Sequence, residues 1–483
     1  MSLLDVNNLA VHGLDGEVVA PISMTINPGQ SVLLIGETGS GKSLFAQSLL
    51  GTLPKGLTAT GGLSILGKRY SVREADALAH LWGHQISVLP QEPWRALDPL
   101  MRSRRQVEEV YRLVSKRTDA RAAADADLDA MDLADAADHF PFELSGGMAQ
   151  RLAIAAARAG GAQIVVADEP TKGLDLARRN DVARRMRTVT EAGGGLITIT
   201  HDLEFAEALG GEVIVLREGQ IIERGPAQQV LKSPSHPYTR DLIASEPRNW
   251  QPLAANKKGE VAIRAEKLCV ARGERVIAKD IDLTIKAGEI VGLSGPSGIG
   301  KSSLGDTLLG LVPARAGHVE RGGNLAAHRF QKLWQDPPAA FAPMQRLGQG
   351  LEDLIRLHGI SRDALPPLLE RLRLDPVLLD RLPSEVSGGE LQRLSIARAL
   401  LLEPVFLFAD EPTSRLDPLT QREVIQMLVE LARARQIAVL MVSHDPDLTE
   451  RATDRQINLA EGTHEAILSD MAGPLTEALA TGG

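Results

Sequence analysis

The octapeptide GETGSGKS at residues 36–43 returns in the second half of the chain as GPSGIGKS at residues 295–302. A short apolar run precedes each copy, SVLLI at 31–35 and EIVGL at 289–293, and a helical pattern follows each. In this strand–loop–helix context, glycines let backbone N–H groups turn inward around phosphate oxygens. The positive end of the following helix dipole adds to the attraction for an anion. Both stretches therefore predict loops that hold the phosphates of a nucleoside triphosphate.

The side chains of the two loops are suited to phosphate and to a metal ion. Lys42 and Lys301 would reach the β- and γ-phosphates, and Ser43 and Ser302 would hold Mg²⁺. The loops alone do not separate kinases, GTPases and helicases, which share them. The nucleotide-binding residues predicted for the first loop are Gly36, Glu37, Thr38, Gly39, Ser40, Gly41, Lys42, Ser43 and Leu44. Those predicted for the second loop are Gly295, Pro296, Ser297, Gly298, Ile299, Gly300, Lys301, Ser302 and Ser303.

Three further motifs return in the same order, which indicates a tandem duplication of one domain. They are LSGGMAQR and VSGGELQR at 144–151 and 386–393, VVADEPT and LFADEPT at 165–171 and 407–413, and ITHD and VSHD at 199–202 and 442–445. Continuous apolar runs alternate with helical patterns, as in an α/β domain with a mostly parallel, doubly covered sheet. We predict a first domain at 1–250, a linker at 251–260 and a second domain at 261–483.

Composition excludes several classes of protein. The 483 residues include one cysteine, Cys269, so internal disulfides and cysteine-held iron–sulfur or zinc sites are excluded. The chain has 53 Lys+Arg against 62 Asp+Glu, a net charge of −9, which disfavours broad nucleic-acid binding. The N-terminal stretch lacks the features of a signal peptide, and no apolar run approaches the roughly 18 residues of a membrane span. We expect a chain that is neither exported nor inserted in a membrane.

Carboxylates and histidines follow the buried strands that lie beside the phosphate loops. Asp168 and Asp410 end strands and would bind Mg²⁺ directly or through water. Glu169 and Glu411 follow at once, where a carboxylate can act as the general base that polarises the attacking water. The next apolar strand of each half ends in a histidine that would sense the γ-phosphate. These histidines are His201 and His444.

The SGG triplets supply a second anion-binding device in each half. Ser145, Gly146 and Gly147 precede one predicted helix, and Ser387, Gly388 and Gly389 precede another. Free N–H groups, a hydroxyl donor and the lack of side-chain obstruction suit a phosphate at such a helix start. Two halves with two devices each predict a head-to-tail pair. Each nucleotide would then lie between the phosphate loop of one half and the SGG triplet of the other.

Taken together, these motifs resemble those of the ATP-binding-cassette ATPases, and the match covers both halves almost end to end. The resemblance implies a RecA-like α/β core, an antiparallel β subdomain and an α-helical subdomain in each half. It also implies that ATP, with Mg²⁺, closes the two cassettes and that hydrolysis reopens them. Gln91 and Gln335, ordinary loop residues when taken alone, become catalytic and Mg²⁺-binding by resemblance, and Asp175 and Asp417 become aspartates that couple the sites.

The chain departs from the family pattern in places that do not remove a catalytic group. The family often stacks adenine on an aromatic residue, where this chain offers His12 and Arg272. Lys172 replaces a small residue, and Val386 replaces the leucine of the second signature. Two competent ATP sites are therefore expected.

Within the family, the closest likeness is to the ATPase subunits of dipeptide, oligopeptide and nickel importers, here fused into one chain. The residues that carry it are the stretches after Gln91 and Gln335 and LKSPSHPYTRDLIASEP at 231–247. The likeness implies a peripheral protein at the cytoplasmic face of the inner membrane, two permease partners and, indirectly, an extracytoplasmic solute-binding protein. The segments 92–143 and 336–385 would grip the permeases. For HPYT itself we expect a proline-bounded turn without a ligand role.

Three other classes of cassette protein remain open. A protein of the phosphonate-cleaving (carbon–phosphorus lyase) system would dock on a soluble complex instead of a permease. Two-cassette translation factors usually have a long charged linker, which this chain lacks. A DNA-repair cassette protein would show cysteine pairs or long inserts. The expected activity is the same in each case: hydrolysis of ATP to ADP and phosphate.

Overall fold

The computed structural model describes residues 1–91, 96–171, 176–254, 256, 259–296, 298–322, 325–414 and 416–459. They form two compact units. The first contains Met1–Gln251 together with Thr413–Ile425, and the second contains Pro252–Pro412 with the described residues from Gln426 onward.

The elements alternate along the chain as the duplicated α/β pattern predicts. The strands are β1 Leu4–Gly13, β2 Gly16–Ile26, β3 Ser31–Ile35, β4 Thr58–Ile65, β5 Lys68–Tyr70, β6 Ile86–Leu89, β7 Ile164–Asp168, β8 Gly195–Ile199, β9 Glu212–Arg217, β10 Gln220–Pro226, β11 Val261–Arg272, β12 Arg275–Lys286, β13 Ile290–Ser294, β14 Ala316–Arg321, β15 Phe330–Leu333, β16 Phe406–Asp410, β17 Ala438–Val442 and β18 Arg455–Asn458.

The helices connect these strands or form the insert between β6 and β7 and its counterpart between β15 and β16. They are α1 Lys42–Leu50, α2 Ala75–Ala79, α3 Ser103–Leu113, α4 Ala120–Ala130, α5 Gly146–Ala159, α6 Leu176–Glu191, α7 Leu203–Leu209, α8 Ala227–Lys232, α9 Pro237–Ala244, α10 Lys301–Leu309, α11 Leu347–His358, α12 Leu365–Arg371, α13 Gly388–Leu401, α14 Pro418–Ala434 and α15 Pro446–Ala452.

Two sheets form the framework of the first unit. One has the order β10-β9-β3-β8-β7-β6, parallel from β9 to β6, and β10 is antiparallel at its edge. The other is antiparallel, in the order β2-β1-β4-β5. The carboxyl ends of β3, β7 and β8 therefore meet at one edge of the parallel sheet, where sites form in such folds.

The parallel sheet of the first unit is buried on both faces, which explains its uninterrupted apolar strands. In β3, Leu33 and Ile35 belong to a core shared with α3 to α9, whereas Val32 and Leu34 face a core shared with the antiparallel sheet and α1. In the insert, Leu128 of α4 is buried together with Met131.

The second unit repeats this plan with fewer described strands. A parallel sheet has the order β15-β16-β17-β13-β18, and an antiparallel sheet has the order β12-β11-β14. The two sheets share an apolar core with α10, which includes Leu304, Leu308, Phe406 and Phe408. The fold class expected from the sequence, an α/β core with an antiparallel β subdomain and a helical subdomain in each half, is confirmed.

The HPYT segment differs from the expected turn. Pro237 is the first residue of α9, where its missing N–H costs no hydrogen bond, and His236 caps this helix by accepting from the Tyr238 N–H. Helix α9 packs on α8 and contributes Leu242 to the core of the first unit. A proline between polar residues reads as a turn signal, but here the apolar residues that follow it are spaced for a helix.

Candidate functional site

The first phosphate loop has the backbone shape that an anion cradle needs. Gly36 and Gly41 have φ of 149° and 99°, and a Cβ on Gly36 would overlap the backbone of β9. Lys42 begins α1 and is buried, and its Nζ donates to the carbonyls of Gly36 and Glu37 at 2.9 and 2.7 Å and to Ser40 Oγ at 3.1 Å. The ammonium is thus fixed inside the loop.

The second phosphate loop repeats this geometry. Gly295 and Gly300 have φ of 142° and 110°, and a Cβ on Gly300 would overlap a side chain of β12. Lys301 begins α10, and its Nζ donates to the carbonyls of Gly295 and Pro296 at 2.7 and 3.1 Å. Ser297, also predicted to bind the nucleotide, lies outside the described residues.

A histidine contacts the second carboxylate of each acidic pair. His201 Nδ1 lies 2.7 Å from Glu169 Oε1, and His444 Nε2 lies 2.6 Å from Glu411 Oε1. Gln335 completes the second cluster, because its Nε2 donates to Glu411 Oε2 at 2.7 Å. The predicted catalytic residues of the second half therefore converge on one carboxylate. Gln91 is exposed just beyond β6, at the position that matches Gln335.

Backbone strain marks both glutamates that the sequence predicts to be catalytic. Glu169 and Glu411 have φ of 49° and 48°, a left-handed conformation that is unfavourable for a residue with a side chain. Each is held by a bond from its N–H to the end of the neighbouring strand, to the Ile199 carbonyl at 2.8 Å and to the Val442 carbonyl at 3.1 Å. The same strained turn therefore follows the aspartate in both halves.

The aspartates lie where a metal ion bound to the phosphates would need them. Asp168 ends β7 and Asp410 ends β16, and Ser302 Oγ donates to Asp410 Oδ1 at 3.1 Å. Lys332 Nζ lies 3.5 Å from the other oxygen, Asp410 Oδ2. Burial raises the pKa of Asp410, and the hydrogen bond from Ser302 and the charge of Lys332 oppose that rise. In the first loop, burial lowers the pKa of Lys42, which Glu169 and Asp168 oppose.

The SGG serines cap the helices predicted to follow them. Ser145 accepts from the Met148 N–H at 3.4 Å at the start of α5, and Ser387 accepts from the Glu390 N–H at 3.3 Å at the start of α13. In the second triplet, Glu390 also accepts from the Ser387 N–H and hydroxyl, at 2.8 and 2.7 Å. This reciprocal capping box has no counterpart at Met148, which has an apolar side chain.

The sequence analysis missed a contact between the HPYT helix and the first phosphate loop. Tyr238 Oη accepts a hydrogen bond from the Glu37 N–H at 2.9 Å, and the Arg217 guanidinium lies 5.0 Å from the tyrosine ring centroid. Burial raises the pKa of Tyr238 to about 12, so its hydroxyl stays protonated. Only the position of a tyrosine at the start of a helix hinted at this role, and that signal is weak.

Several predicted residues have other neighbours, and a further one, besides Ser297, is outside the described part of the chain. Asp417 lies in the same compact unit as Thr38, whose N–H donates to Asp417 Oδ2 at 3.5 Å. Its predicted counterpart Asp175 lies outside the described residues. His12, considered for adenine stacking, is a residue of β1 and forms a 2.9 Å hydrogen bond with Thr60 Oγ1.

Comparison with known proteins agrees with this geometry. The sequence pattern of the ABC transporter family matches residues 19–172 and 278–414, which hold both phosphate loops and both acidic pairs. The chain belongs to the ABC transporter family. A second pattern, the C-terminal region of oligopeptide/dipeptide transporters, matches residues 222–269, which include α9. The chain thus combines two ABC cassettes with the C-terminal pattern of the oligopeptide/dipeptide transporters.

Relatives match nearly the full length of this ABC ATPase. The ABC transporter ATP-binding protein YejF of Escherichia coli K12 is 32% identical over 95% of this chain and 94% of its own. The peptidoglycan transport ATP-binding protein YejF of Agrobacterium fabrum is 33% identical over 92% and 88%. The glutathione import ATP-binding protein GsiA of Salmonella choleraesuis is 31% identical over 93% and 83%. These relatives support the importer interpretation, and the lyase-type alternative is not favoured.

A solved structure confirms the two-cassette fold. The archaeal ribosome recycling factor aABCE1, in complex with the ribosomal stalk protein aP1, has a TM-score of 0.64 and 23% identity over 93% of this chain and 87% of its own. At this identity the likeness concerns the fold alone. In the described residues, no helix combines the length and apolar character needed to cross a membrane.

Proposed function

We propose that the chain is the ATP-hydrolysing subunit that energises uptake of a small peptide-type solute through two separate membrane permeases. The observation that carries this proposal is the pair of clusters in which a histidine holds a strand-end glutamate beside a phosphate loop. That arrangement suits hydrolysis, because the glutamate can orient water at the terminal phosphate and the histidine can fix the glutamate. The chemistry is conversion of ATP to ADP and phosphate in both cassettes.

The two lysines exchange loop carbonyls for phosphate oxygens when ATP binds. Lys42 and Lys301 are already buried in their loops, so little side-chain freedom is lost on binding. Glu169 and Glu411 then accept a proton from the attacking water, and His201 and His444 keep these carboxylates aimed at it. The 2.7 and 2.6 Å contacts between these histidines and glutamates support that last role.

The residues present fit a hard divalent cation. Ser302 Oγ and Asp410 Oδ1 are oxygen donors only 3.1 Å apart beside the second loop, and hydroxyl and carboxylate oxygens are ligands that Mg²⁺ accepts. Ser302, Asp410 and Gln335 would hold the ion in the second cassette. Ser43, Asp168 and Gln91 would hold it in the first. When bound, Mg²⁺ neutralises charge that develops on the β- and γ-phosphate oxygens.

Each nucleotide site is completed by the signature of the other cassette. The first site joins the loop of Lys42 to the triplet that starts at Ser387, and the second joins the loop of Lys301 to the triplet that starts at Ser145. The sequence supports this pairing, because each half carries one phosphate loop and one SGG triplet. The two cassettes of one chain thus suffice for two sites.

The helical insert of the first cassette offers a groove for a permease segment. The groove has a volume of about 360 Å³, and Leu97, Val110, Leu113 and Val114 lie among its lining residues. Leu113 is exposed, as expected of a side chain that a partner covers. Another groove of similar volume lies on the insert of the second cassette, between α11, α12 and residues 379–380, and is lined by Glu352 and other charged residues. The chain acts at the cytoplasmic face of the membrane, as a peripheral subunit of the permeases.

The solute class follows from the relatives. Two of them carry names that refer to peptidoglycan transport and to glutathione import, and the oligopeptide/dipeptide pattern covers α9. A short peptide or a peptide-containing fragment is the solute common to these names. An extracytoplasmic solute-binding protein delivers it to the permeases and so acts on this chain only indirectly.

Copurification from native cells tests this proposal. The tagged chain with Glu169→Gln and Glu411→Gln is purified in mild detergent with ATP, and the proteins that accompany it are identified. Two multi-span permeases are expected. Leu113→Glu should lower their yield, whereas Leu14→Glu, a matched change of another exposed leucine outside the groove, should not. Recovery of a soluble lyase complex or of ribosomes in place of permeases contradicts the proposal.

A further inference from the structure

A buried ammonium lies beside the metal-binding carboxylate of the second cassette. Lys332, near the end of β15, places its Nζ 2.7 Å from Asp306 Oδ1 and 3.5 Å from Asp410 Oδ2. Asp410 is the aspartate that would hold Mg²⁺, and its other oxygen accepts from Ser302. The ammonium therefore contacts the face of the carboxylate that the phosphate-loop serine does not use.

Aromatic rings and burial keep this lysine in place. Its Nζ lies 4.6 Å from the centroid of the Trp334 ring and 5.4 Å from that of Phe408. The Lys332 side chain is only 8% exposed, and that of Asp410 10%. A lysine on the surface would move into water when another cation approached, but this one is held by two rings and an ion pair.

The first cassette has uncharged side chains at both positions. Aligning the phosphate loops places Gln47 of α1 opposite Asp306 of α10, and aligning β6 with β15 places Val88 opposite Lys332. The amide of Gln47 and the isopropyl group of Val88 carry no charge. The two cassettes thus share their catalytic motifs but differ in one fixed charge pair beside the metal site.

A fixed cation disfavours a second cation nearby. A divalent ion that binds Asp410 must share that carboxylate with the Lys332 ammonium, and charges this close repel strongly where water is largely excluded. Asp306 neutralises part of the ammonium charge, but Nζ still lies 3.5 Å from Asp410 Oδ2, within ion-pair distance of the metal-binding carboxylate.

We propose that Lys332 weakens Mg²⁺ binding in the second cassette, so that the two ATP sites of one chain differ in metal affinity. The inference rests on the proposed roles of Asp168 and Asp410 as metal-holding carboxylates. Lys332 acts on the ion through Asp410 and is a positioning residue. At limiting Mg²⁺ the first site loads before the second.

Mn²⁺ binding measured by electron paramagnetic resonance tests the proposal without relying on turnover. The full chain is titrated with Mn²⁺ at saturating non-hydrolysable ATP analogue. Lys42→Ala removes nucleotide binding at the first site, so that Mn²⁺ binding is measured at the second site alone. Lys301→Ala removes nucleotide binding at the second site and leaves the first to be measured. In the Lys42→Ala chain, Lys332→Val with Asp306→Gln should tighten Mn²⁺ binding at the second site about tenfold. In the Lys301→Ala chain, Val88→Lys with Gln47→Asp should weaken Mn²⁺ binding at the first site about tenfold.

Two controls separate this inference from folding and from the proposed function. Lys332→Met keeps the aliphatic stem that packs on the rings and should also tighten Mn²⁺ binding, and thermal unfolding reports whether each variant folds. Analogue affinity measured with a chelator should be unchanged. The inference is overturned if the Mn²⁺ affinity of the second site is the same in both Lys332 variants as in the chain that keeps Lys332. Absence of analogue-dependent Mn²⁺ binding at both sites instead overturns the assignment of the carboxylates.

Discussion

The two cassettes hold the same catalytic groups in different surroundings. In the first, Tyr238, on a helix that follows the cassette, accepts a hydrogen bond from the phosphate loop, and the position that matches Lys332 holds Val88. In the second, that position holds Lys332, and Gln335 binds the catalytic glutamate. Duplicated motifs thus predict the reaction, but the residues around them decide how alike the two sites are.

Removing the general base should have the largest effect. Glu169→Gln with Glu411→Gln keeps the size of both side chains but removes the carboxylates that accept the proton, so steady-state ATP hydrolysis should fall by at least about 100-fold. ATP binding should persist because the phosphate loops are untouched. Phosphate release and equilibrium ATP binding measure the two quantities. Hydrolysis that continues at the native rate would contradict the assignment, and the single variants show how much each cassette contributes.

One matched pair of core positions differs in a way that a substitution can test. A Cβ on Gly305 of α10 would overlap the ring of Phe408, whereas the corresponding positions of the first cassette are Ala46 and Val166. Gly305→Ala should therefore destabilise the second cassette by about 1–3 kcal/mol. Denaturant unfolding measures this change. Adding Phe408→Val should recover much of the loss, and equal destabilisation by the single and double variants would show that the ring is not the cause.

The apolar groove on the insert of the first cassette can be probed by introducing a charge. Leu113→Glu in the apolar groove of the first cassette should weaken permease association about tenfold, because a partner side chain would then desolvate a carboxylate. Basal ATP hydrolysis of the free chain should not change, since the groove is separate from the phosphate loop. Affinity for permeases in detergent is the measurement. Gln349→Glu, which adds a charge on the insert of the second cassette in a groove already lined by charged residues, should have a smaller effect. A larger effect there would contradict the proposal that the apolar groove binds a permease.

Tyr238 supplies the smallest predicted effect, confined to the first site. Tyr238→Phe removes one hydrogen bond to the Glu37 N–H but keeps the ring, so ATP affinity of the first site should fall about threefold. ATP titration of the Lys301→Ala chain measures the ATP affinity of the first site alone. The same substitution in the Lys42→Ala chain should leave the second site unchanged, and an equal loss at both sites would indicate a general effect on folding.

The sequence predicted the fold and the converging residues well because repeated motifs constrain both. Strands buried on both faces appear in the sequence as continuous apolar runs, and glycines with positive φ appear as the GxxxxGK[ST] spacing. Both features can therefore be predicted from the sequence. The strained turns at Glu169 and Glu411 could not be predicted from the sequence, because the strain follows from contact with the neighbouring strand and leaves no pattern in composition. The position of Lys332 beside two carboxylates could not be predicted either, because it depends on contacts between elements that are distant in sequence. A lysine in a β pattern reads as exposed until Asp306 and Asp410 are seen beside it.

The central claim is that each ATP lies between the loop of one cassette and the signature of the other within one chain. Native mass spectrometry of the Glu169→Gln, Glu411→Gln chain tests it in a Lys301→Ala background, where only the site of the first loop can retain ATP. One ATP per single chain is predicted. Ser387→Arg should eliminate it and Ser145→Arg should leave it bound. Loss of ATP with Ser145→Arg and retention with Ser387→Arg would contradict the account.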